Sequence, residues 1–230
     1  MHRFFQEELS TGVLSEEESQ HAAKVLRLNI GDEIEVFDGR GSFILTSVSE
    51  VSKKSVGFLN VSPKKGWDAD LILPSIAIAP TKNISRFEWY LEKATEIGVQ
   101  NIYPIFSARS ERKNLKLERL HKIILAATKQ SKRTVMPEIF EPIRFSEFVK
   151  TTSLNEKFIA HCLDDEKGNY LNINPQKNNT TLIAIGPEGD FTPEEIQLAL
   201  HHNFKPISFG EARLRTETAG IFACMLFQNR

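Results

Sequence analysis

Thr181-Leu-Ile-Ala-Ile185 runs into Gly186-Pro187-Glu188-Gly189-Asp190, and the chain continues through Phe191 to Thr192-Pro193-Glu194-Glu195. A short, largely apolar run closed by a Gly-Pro loop reads as a buried strand. Thr192 suits a helix N-cap, Pro193 the first helical position and Glu195 the third, so the loop joins a strand end to a helix N-terminus. A second unit of the same kind follows. Ile207-Ser208-Phe209 reads as a strand, residues 210–215 as a loop, and a helix starts near Thr216. Strand-loop-helix units in succession predict an α/β fold with a mostly parallel sheet.

Working outward, the alternation begins at Leu71. Residues 71–79 form a strand candidate with Pro74 in its first half. Ser85 and Glu88 have capping-box spacing, and Ile84, Phe87, Leu91 and Ala94 keep helical period up to Gly98. Strands are expected over 99–106 and 158–162, a helix over 116–129, and a loop over the Asn-rich residues 164–180. Upstream the rhythm differs. A helix over 16–26, with Ser15 and Glu18 as capping box, precedes three strand candidates near 33–37, 42–48 and 55–61, and Asp38-Gly39 marks a hairpin between the first two. Pro63-Lys-Lys-Gly66 closes this part. The expected organisation is therefore a small β domain over 1–67 and an α/β domain over 70–230.

The totals narrow the class. With 40% hydrophobic and 26% charged residues the chain has the balance of an ordinary globular protein. No apolar run approaches the roughly 20 residues that cross a bilayer, and the opening residues turn acidic where a signal peptide needs its apolar region. A cytoplasmic protein is the expectation. Cys162 and Cys224 form no CxxC pair, so no metal site is expected and both read as packed thiols. The formal net charge of −1 argues against a general polyanion binder, yet residues 109–133 hold nine Lys and Arg against Glu111 and Glu118. That stretch could meet phosphates or form a solvated helix face.

A strand-to-helix loop is a usual phosphate site. Here the loop carries Glu188 and Asp190 and no Lys or Arg, and neither GxxxxGK(S/T) nor GxGxxG occurs. A neutral or cationic ligand suits it better, read by backbone groups that Gly186 and Gly189 let come close. By itself such a string is more often a turn than a site. The second loop, with Arg213, Arg215, Glu217 and Thr218, could be only a capping segment with an Arg215–Glu217 ion pair. Two such loops at neighbouring strand ends favour a shared pocket.

These residues resemble a known family. Ile185-Gly-Pro-Glu-Gly189, Leu214-Arg-Thr-Glu-Thr-Ala219, Lys93-Ala-Thr-Glu-Ile-Gly98, Val25-Leu-Arg27 and Phe37-Asp-Gly39 occur in the order found in the ribosomal RNA small subunit methyltransferase E family. That family is of the SPOUT class, uses S-adenosyl-L-methionine and methylates N3 of a uridine in 16S rRNA. The resemblance runs nearly end to end, and its C-terminal motif pair is the most specific part. It implies a PUA-like N-terminal β-barrel that helps hold RNA, a C-terminal SPOUT domain with a deep trefoil knot, and a homodimer that builds each site from two subunits. The partner it implies is the small ribosomal subunit.

The resemblance also assigns residues. Cofactor contacts are expected from His161, from Ile185, Gly186, Pro187, Glu188 and Gly189, from Phe209 and Gly210, and from Leu214, Arg215, Thr216, Thr218 and Ala219. Arg215 is expected to stabilise a uridine anion, and Glu217 to orient it or accept the proton. Arg3, Lys24 and Arg27 in the first domain, and Lys82, Arg86, Arg109, Arg112 and Arg133 in the second, are expected to face RNA. Phe87, Trp89 and Phe106 read as core. The chain departs from the family pattern at Asp190 and Lys132, where Gly is usual, and at Lys129, where Glu is common. The rival readings are a SPOUT enzyme of other specificity, such as ribose 2′-O methylation, and a non-catalytic RNA-binding assembly factor.

Overall fold

β12 (Thr181–Ile185), buried at every residue, lies inside a parallel sheet of the computed structural model. The structure describes residues 1–52, 54–163, 168–170 and 181–226. By compactness the chain forms two units, Met1–Leu71 with Leu125–Met136, and Ile72–Ile124 with Pro137–Arg230.

In the second unit the sheet order is β11 (Gly168–Asn169), β13 (Lys205–Ser208), β10 (Glu156–Ala160), β12, β6 (Ser75–Ile78), β7 (Asn101–Phe106) and β8 (Glu138–Ile139), with β9 (Ile143–Arg144) also on β7. Every one of these pairings is parallel, as the strand-helix alternation predicts. The strands β6 and β12 are buried on both faces, which explains why they are apolar apart from Ser75 and Thr181 at their starts. One side of the core gathers Phe145, Phe148, Phe191, Ile196 and Phe204. Phe145 and Phe148 belong to α4 (Phe145–Thr151), a helix the sequence reading passed over because seven residues carry too little periodicity.

On the other side α6 (Thr216–Leu226) packs on α2 (Ile84–Ile97) and β6. A Cβ at Gly220 would meet Tyr90 Cε2 at 2.6 Å and Ile78 Cδ1 at 2.8 Å, so only glycine lets the backbones come this close. Tyr90 and Cys224 are buried together, and burial raises both the phenol and thiol pKa values. The start of α2 corrects one expectation. Asn83 caps it by accepting from the Ser85 amide at 3.0 Å, so Ser85 is already helical. The predicted cap of α5 (Pro193–His201) is present in full, with Thr192 and Glu195 bonding each other's backbone amides. Of the expected loop over 164–180, only residues 168–170 lie among those described, and two of these form β11.

The first unit is a five-stranded sheet in the order β1 (His2–Phe5), β2 (Glu33–Phe37), β3 (Ser42–Val51), β4 (Val56–Phe58), with β5 (Lys64–Lys65) also on β3. The β2–β3 hairpin turns at Asp38-Gly39, where Asp38 accepts from the Arg40 and Ser42 amides at 2.7 and 2.9 Å. The helix expected over 16–26 is α1 (Glu16–Gln20) followed by a widened π turn over His21–Val25. Residues 125–136, assigned to the second domain from the sequence, pack with this unit through long-range bonds. Lys129 pairs with Glu18, Arg3 Nη1 donates to the Thr128 carbonyl at 3.0 Å, and the Met136 amide donates to the Gly39 carbonyl at 2.8 Å. Those residues include the second half of α3 (Leu117–Gln130).

Candidate functional site

Three strands that neighbour one another in space, β13, β10 and β12, end at a common cavity of ≈ 750 Å³ in the second unit. The crevice beyond the carboxyl ends of parallel strands is the usual ligand site of such sheets, and this volume is that of a small-molecule pocket. The wall comes from His161 and Cys162 after β10, from residues 185–188 and 190 after β12, and from residues 207–216 and Ala219 around the end of β13.

Side-chain and backbone bonds set the loops against each other. Buried Thr216 donates its Oγ1 proton to the Gly186 carbonyl at 3.0 Å, joining the third loop to the second. Asp190 joins the second to the first, its Oδ2 accepting from the Cys162 amide at 2.8 Å while Oδ1 accepts from the Phe191 amide at 2.7 Å. Arg109 Nη1 donates to the Gly189 carbonyl at 2.8 Å, and Glu188 accepts from the Lys82 amide at 3.0 Å. A Cβ at Gly186 would lie 3.2 Å from the Phe191 ring and amide, so the loop is packed as well as bonded. The cavity is thus preorganised by the protein's own hydrogen bonds.

Asp190 has φ 62° and Lys132 φ 57°, so both positions where the resembling family carries Gly are left-handed here. Asp occupies that region more readily than most residues because its short side chain can bond locally, and the Phe191 amide is that local partner.

The expected cofactor residues divide as follows. His161, Ile185, Gly186, Pro187, Glu188, Phe209, Gly210, Leu214, Arg215, Thr216 and Ala219 line the cavity. Gly189 and Thr218 do not line it, and Thr218 is exposed. Cys162, Ser208, Glu211 and Arg213 line it without having been among the expected cofactor contacts. Cys162 corrects the expectation of a packed thiol, because it is exposed, whereas Cys224 is buried. Its position one residue past His161 at the same strand end was the available signal.

The two catalytic candidates separate. Arg215 is exposed at the cavity wall. Glu217 is only 7% exposed and does not line the cavity. It faces Arg86 on α2 at 3.8 Å, and its Oε2 has no hydrogen-bond partner among the described residues. α6 begins at Thr216, so Glu217 belongs to the helix that packs on α2, whereas Arg215 precedes it in the loop. The Arg215–Glu217 pair expected from the sequence is replaced by Arg86–Glu217.

The basic candidates also sort by environment. Lys24, Arg27, Lys82 and Arg109 are exposed, and Arg86 and Arg112 are partly so. Lys82 pairs with Glu111 at 2.7 Å, and Arg112 donates to the Thr81 and Lys82 carbonyls at 3.0 and 2.6 Å, bracing the segment before α2. Arg3 and Arg133 depart from the expectation. Arg3 is paired across the β1–β2 register with Glu35, its guanidinium 4.3 Å from the Phe37 ring centroid. Arg133 is buried beside Asp68 at 3.4 Å. Burial lowers both guanidinium pKa values, with the neighbouring carboxylates opposing it. Neither is placed to meet a polyanion. Among the aromatic residues Phe87 is core, Phe106 half-buried, and Trp89, expected in the core, is 47% exposed. Among the described residues no cluster of His, Cys, Asp and Glu could hold a metal ion, and no helix is long and apolar enough to cross a membrane.

A parallel α/β unit with this cavity, joined to a small β unit, is the organisation of an RNA methyltransferase. The family model described as the RNA methyltransferase domain matches residues 73–228, and that described as the RNA methyltransferase PUA domain matches residues 14–57. The chain is 30% identical to ribosomal RNA small subunit methyltransferase E of Synechocystis sp., over 91% of this chain and 70% of the relative. It superposes with a TM-score of 0.88 on a probable rRNA-methyltransferase from Porphyromonas gingivalis, 37% identical, covering 97% of this chain and 95% of that one. A ribosomal RNA small subunit methyltransferase E from Neisseria gonorrhoeae, bound to S-adenosyl methionine, gives 0.84 at 28% identity, over 97% and 95%. The chain belongs to the ribosomal RNA small subunit methyltransferase E family.

Proposed function

We propose that this protein is an S-adenosyl-L-methionine-dependent methyltransferase that modifies N3 of a specific uridine in the 16S rRNA of the small ribosomal subunit. The observation that carries the reading is the braced cavity, whose loops hold the family's two C-terminal motifs and whose wall displays Arg215. The residues present fit the cofactor. The cavity has the size of a small-molecule site, its walls offer backbone groups and the carboxylate of Glu188, and the loop beyond β12 has no Lys or Arg to attract a phosphate.

S-adenosyl-L-methionine supplies, when bound, a methyl group activated by its sulfonium. The protein's own contribution is positioning and charge control. The loops after β10, β12 and β13 would hold the cofactor. Uridine N3 becomes a nucleophile only on losing its proton, and Arg215 stabilises the resulting anion through a carbonyl oxygen of the base. Among the carboxylates, Asp190 already accepts two backbone amides and Glu217 is buried against Arg86. That leaves exposed Glu188 and Glu211 at the wall as candidate proton acceptors, Glu188 with one oxygen held by the Lys82 amide.

Residues 1–67 act in this reading as the PUA-like RNA-holding domain and residues 70–230 as the SPOUT domain with its deep trefoil knot. The protein works as a homodimer in the cytoplasm. The test is methyl transfer from labelled cofactor to undermethylated small subunits, followed by nucleoside analysis. Label in 3-methyluridine supports the reading. Label in another nucleoside retains the class and changes the specificity, while no transfer and no cofactor binding refutes it. Arg215→Ala is expected to lower turnover roughly 10²–10³-fold with cofactor affinity nearly unchanged.

A further inference from the structure

Trp67 follows β5 by two residues and leaves 63% of its surface open, although the backbone on either side of it is held tightly. A Cβ at Gly66 would overlap Thr134 Oγ1 at 1.7 Å, so the chain there lies directly on residue 134. Asp68 is buried and accepts from the Thr134 amide at 3.0 Å and from the Val135 amide at 3.3 Å. Between these anchors the indole turns outward. Its Nε1–H donates to the Lys132 carbonyl at 3.3 Å, and the Arg133 guanidinium lies 5.1 Å from the ring centroid. The ring is therefore set in one orientation, with a cation on one face and most of its surface exposed.

The chain next to the tryptophan and to its Lys132 partner carries exposed lysines. Lys64, Lys65 and Lys132 are all exposed. Lys65 pairs with Asp70, whereas Lys64 and Lys132 enter no ion pair among the described residues. A protein-docking patch would place further apolar side chains beside the tryptophan. A fixed aromatic face flanked by cations matches instead the requirements of a single-stranded nucleic acid, which needs a ring for a base and positive charge for its phosphates. Because the ring is already immobilised, little ordering remains to oppose binding.

We propose that Trp67 is a stacking platform for an unpaired base of the RNA substrate, with Lys64 and Lys132 contacting the flanking phosphates. Trp67 does not line the methyl-transfer cavity, so this base is distinct from the one methylated. The inference rests on the RNA-substrate reading above.

The chain has two tryptophans, so Trp89→Phe leaves Trp67 as the sole indole reporter and does not alter the proposed platform. Titration with a single-stranded oligoribonucleotide is expected to quench its emission saturably, while a duplex of equal charge does so far less. Trp67→Ala should weaken single-strand affinity roughly 5- to 150-fold, with Trp67→Phe recovering much of the loss at an unchanged melting temperature. If filter binding and methyl transfer proceed while Trp67 emission stays constant, the platform is refuted and the methyltransferase reading survives. If small-subunit proteins but not RNA shift the emission, the surface is a protein site and the proposal fails. A wild-type protein that neither binds RNA nor transfers methyl overturns both.

Discussion

Asp190 offers the sharpest test of how the cavity is held, because two opposing effects meet in one residue. Its φ of 62° is a strained conformation for most L residues, costing roughly 1–2 kcal/mol, and glycine would relieve that. Its carboxylate, however, accepts from the Cys162 amide at the end of β10 and from the Phe191 amide after the β12 loop. Hydrogen bonds to a charged group are worth about 1.5–3 kcal/mol each. Cys162 is exposed, so water recovers part of that bond, and the lower figure applies there. Glycine also adds about 0.4–1 kcal/mol of unfolded-state entropy. The balance predicts that Asp190→Gly destabilises the protein by about 1.4–4.5 kcal/mol and weakens cofactor binding through the loosened loops. Asp190→Ala should be worse, because it loses both bonds and retains the strain. Asp190→Asn should be mildest, since it tolerates the left-handed region and keeps one acceptor. Calorimetric titration with S-adenosyl-L-methionine, paired with urea unfolding, measures both quantities. A glycine variant that binds as tightly as the wild type and unfolds at the same urea concentration would show that strain relief wins and that the bond to Cys162 holds nothing.

Thr216→Val keeps the shape of the side chain but leaves the Gly186 carbonyl without its 3.0 Å donor. A stability loss of about 1–3 kcal/mol and weaker cofactor binding are expected, and unchanged urea unfolding would contradict the role given to that bond. Burial pushes the Cys224 thiol up from 9.0 to about 12, with the Tyr90 hydroxyl opposing the shift. The folded protein thus holds the proton while the unfolded chain releases it. Stability from this group is complete below pH 9 and falls as pH rises toward 12, by at most about 1.4 kcal/mol per pH unit. Cys224→Ala should flatten the decline between pH 9 and the ordinary tyrosine value of 10.0, and an identical slope in both proteins would refute the assignment.

Local chemistry made much of this molecule legible. The Thr192–Glu195 capping box, the Asp38-Gly39 turn and the largely apolar β12 each depend on neighbours a few residues away, and each stands in the structure as read. The parallel sheet followed from the same local signals, because strands separated by helices have few other ways to pair. Misreadings arose where two local solutions compete. Asn83 and Ser85 are both good caps, and only the packing of α2 selects the first. Seven residues of α4 were too few for a period to emerge.

Loops at neighbouring strand ends converge, and residues 185–188, 190 and 209–216 accordingly line one cavity. What those side chains face was decided by the tertiary structure. Glu217 meets Arg86 and not Arg215, because α6 carries it onto α2 while Arg215 stays in the preceding loop. Arg3 and Arg133, written in the sequence as surface cations, are half-buried beside Glu35 and buried beside Asp68, partners 32 and 65 positions away. Cys162 and Trp89, read as packed, are open, and Trp67 stands outside on a locked backbone. The sequence by itself determined the order of elements, the caps and the loops at the strand ends, because propensity and hydrogen-bond geometry act over a few residues. Burial, ion pairing and the direction of each polar side chain awaited the tertiary structure, because they depend on contacts that distant segments make only once the chain has folded.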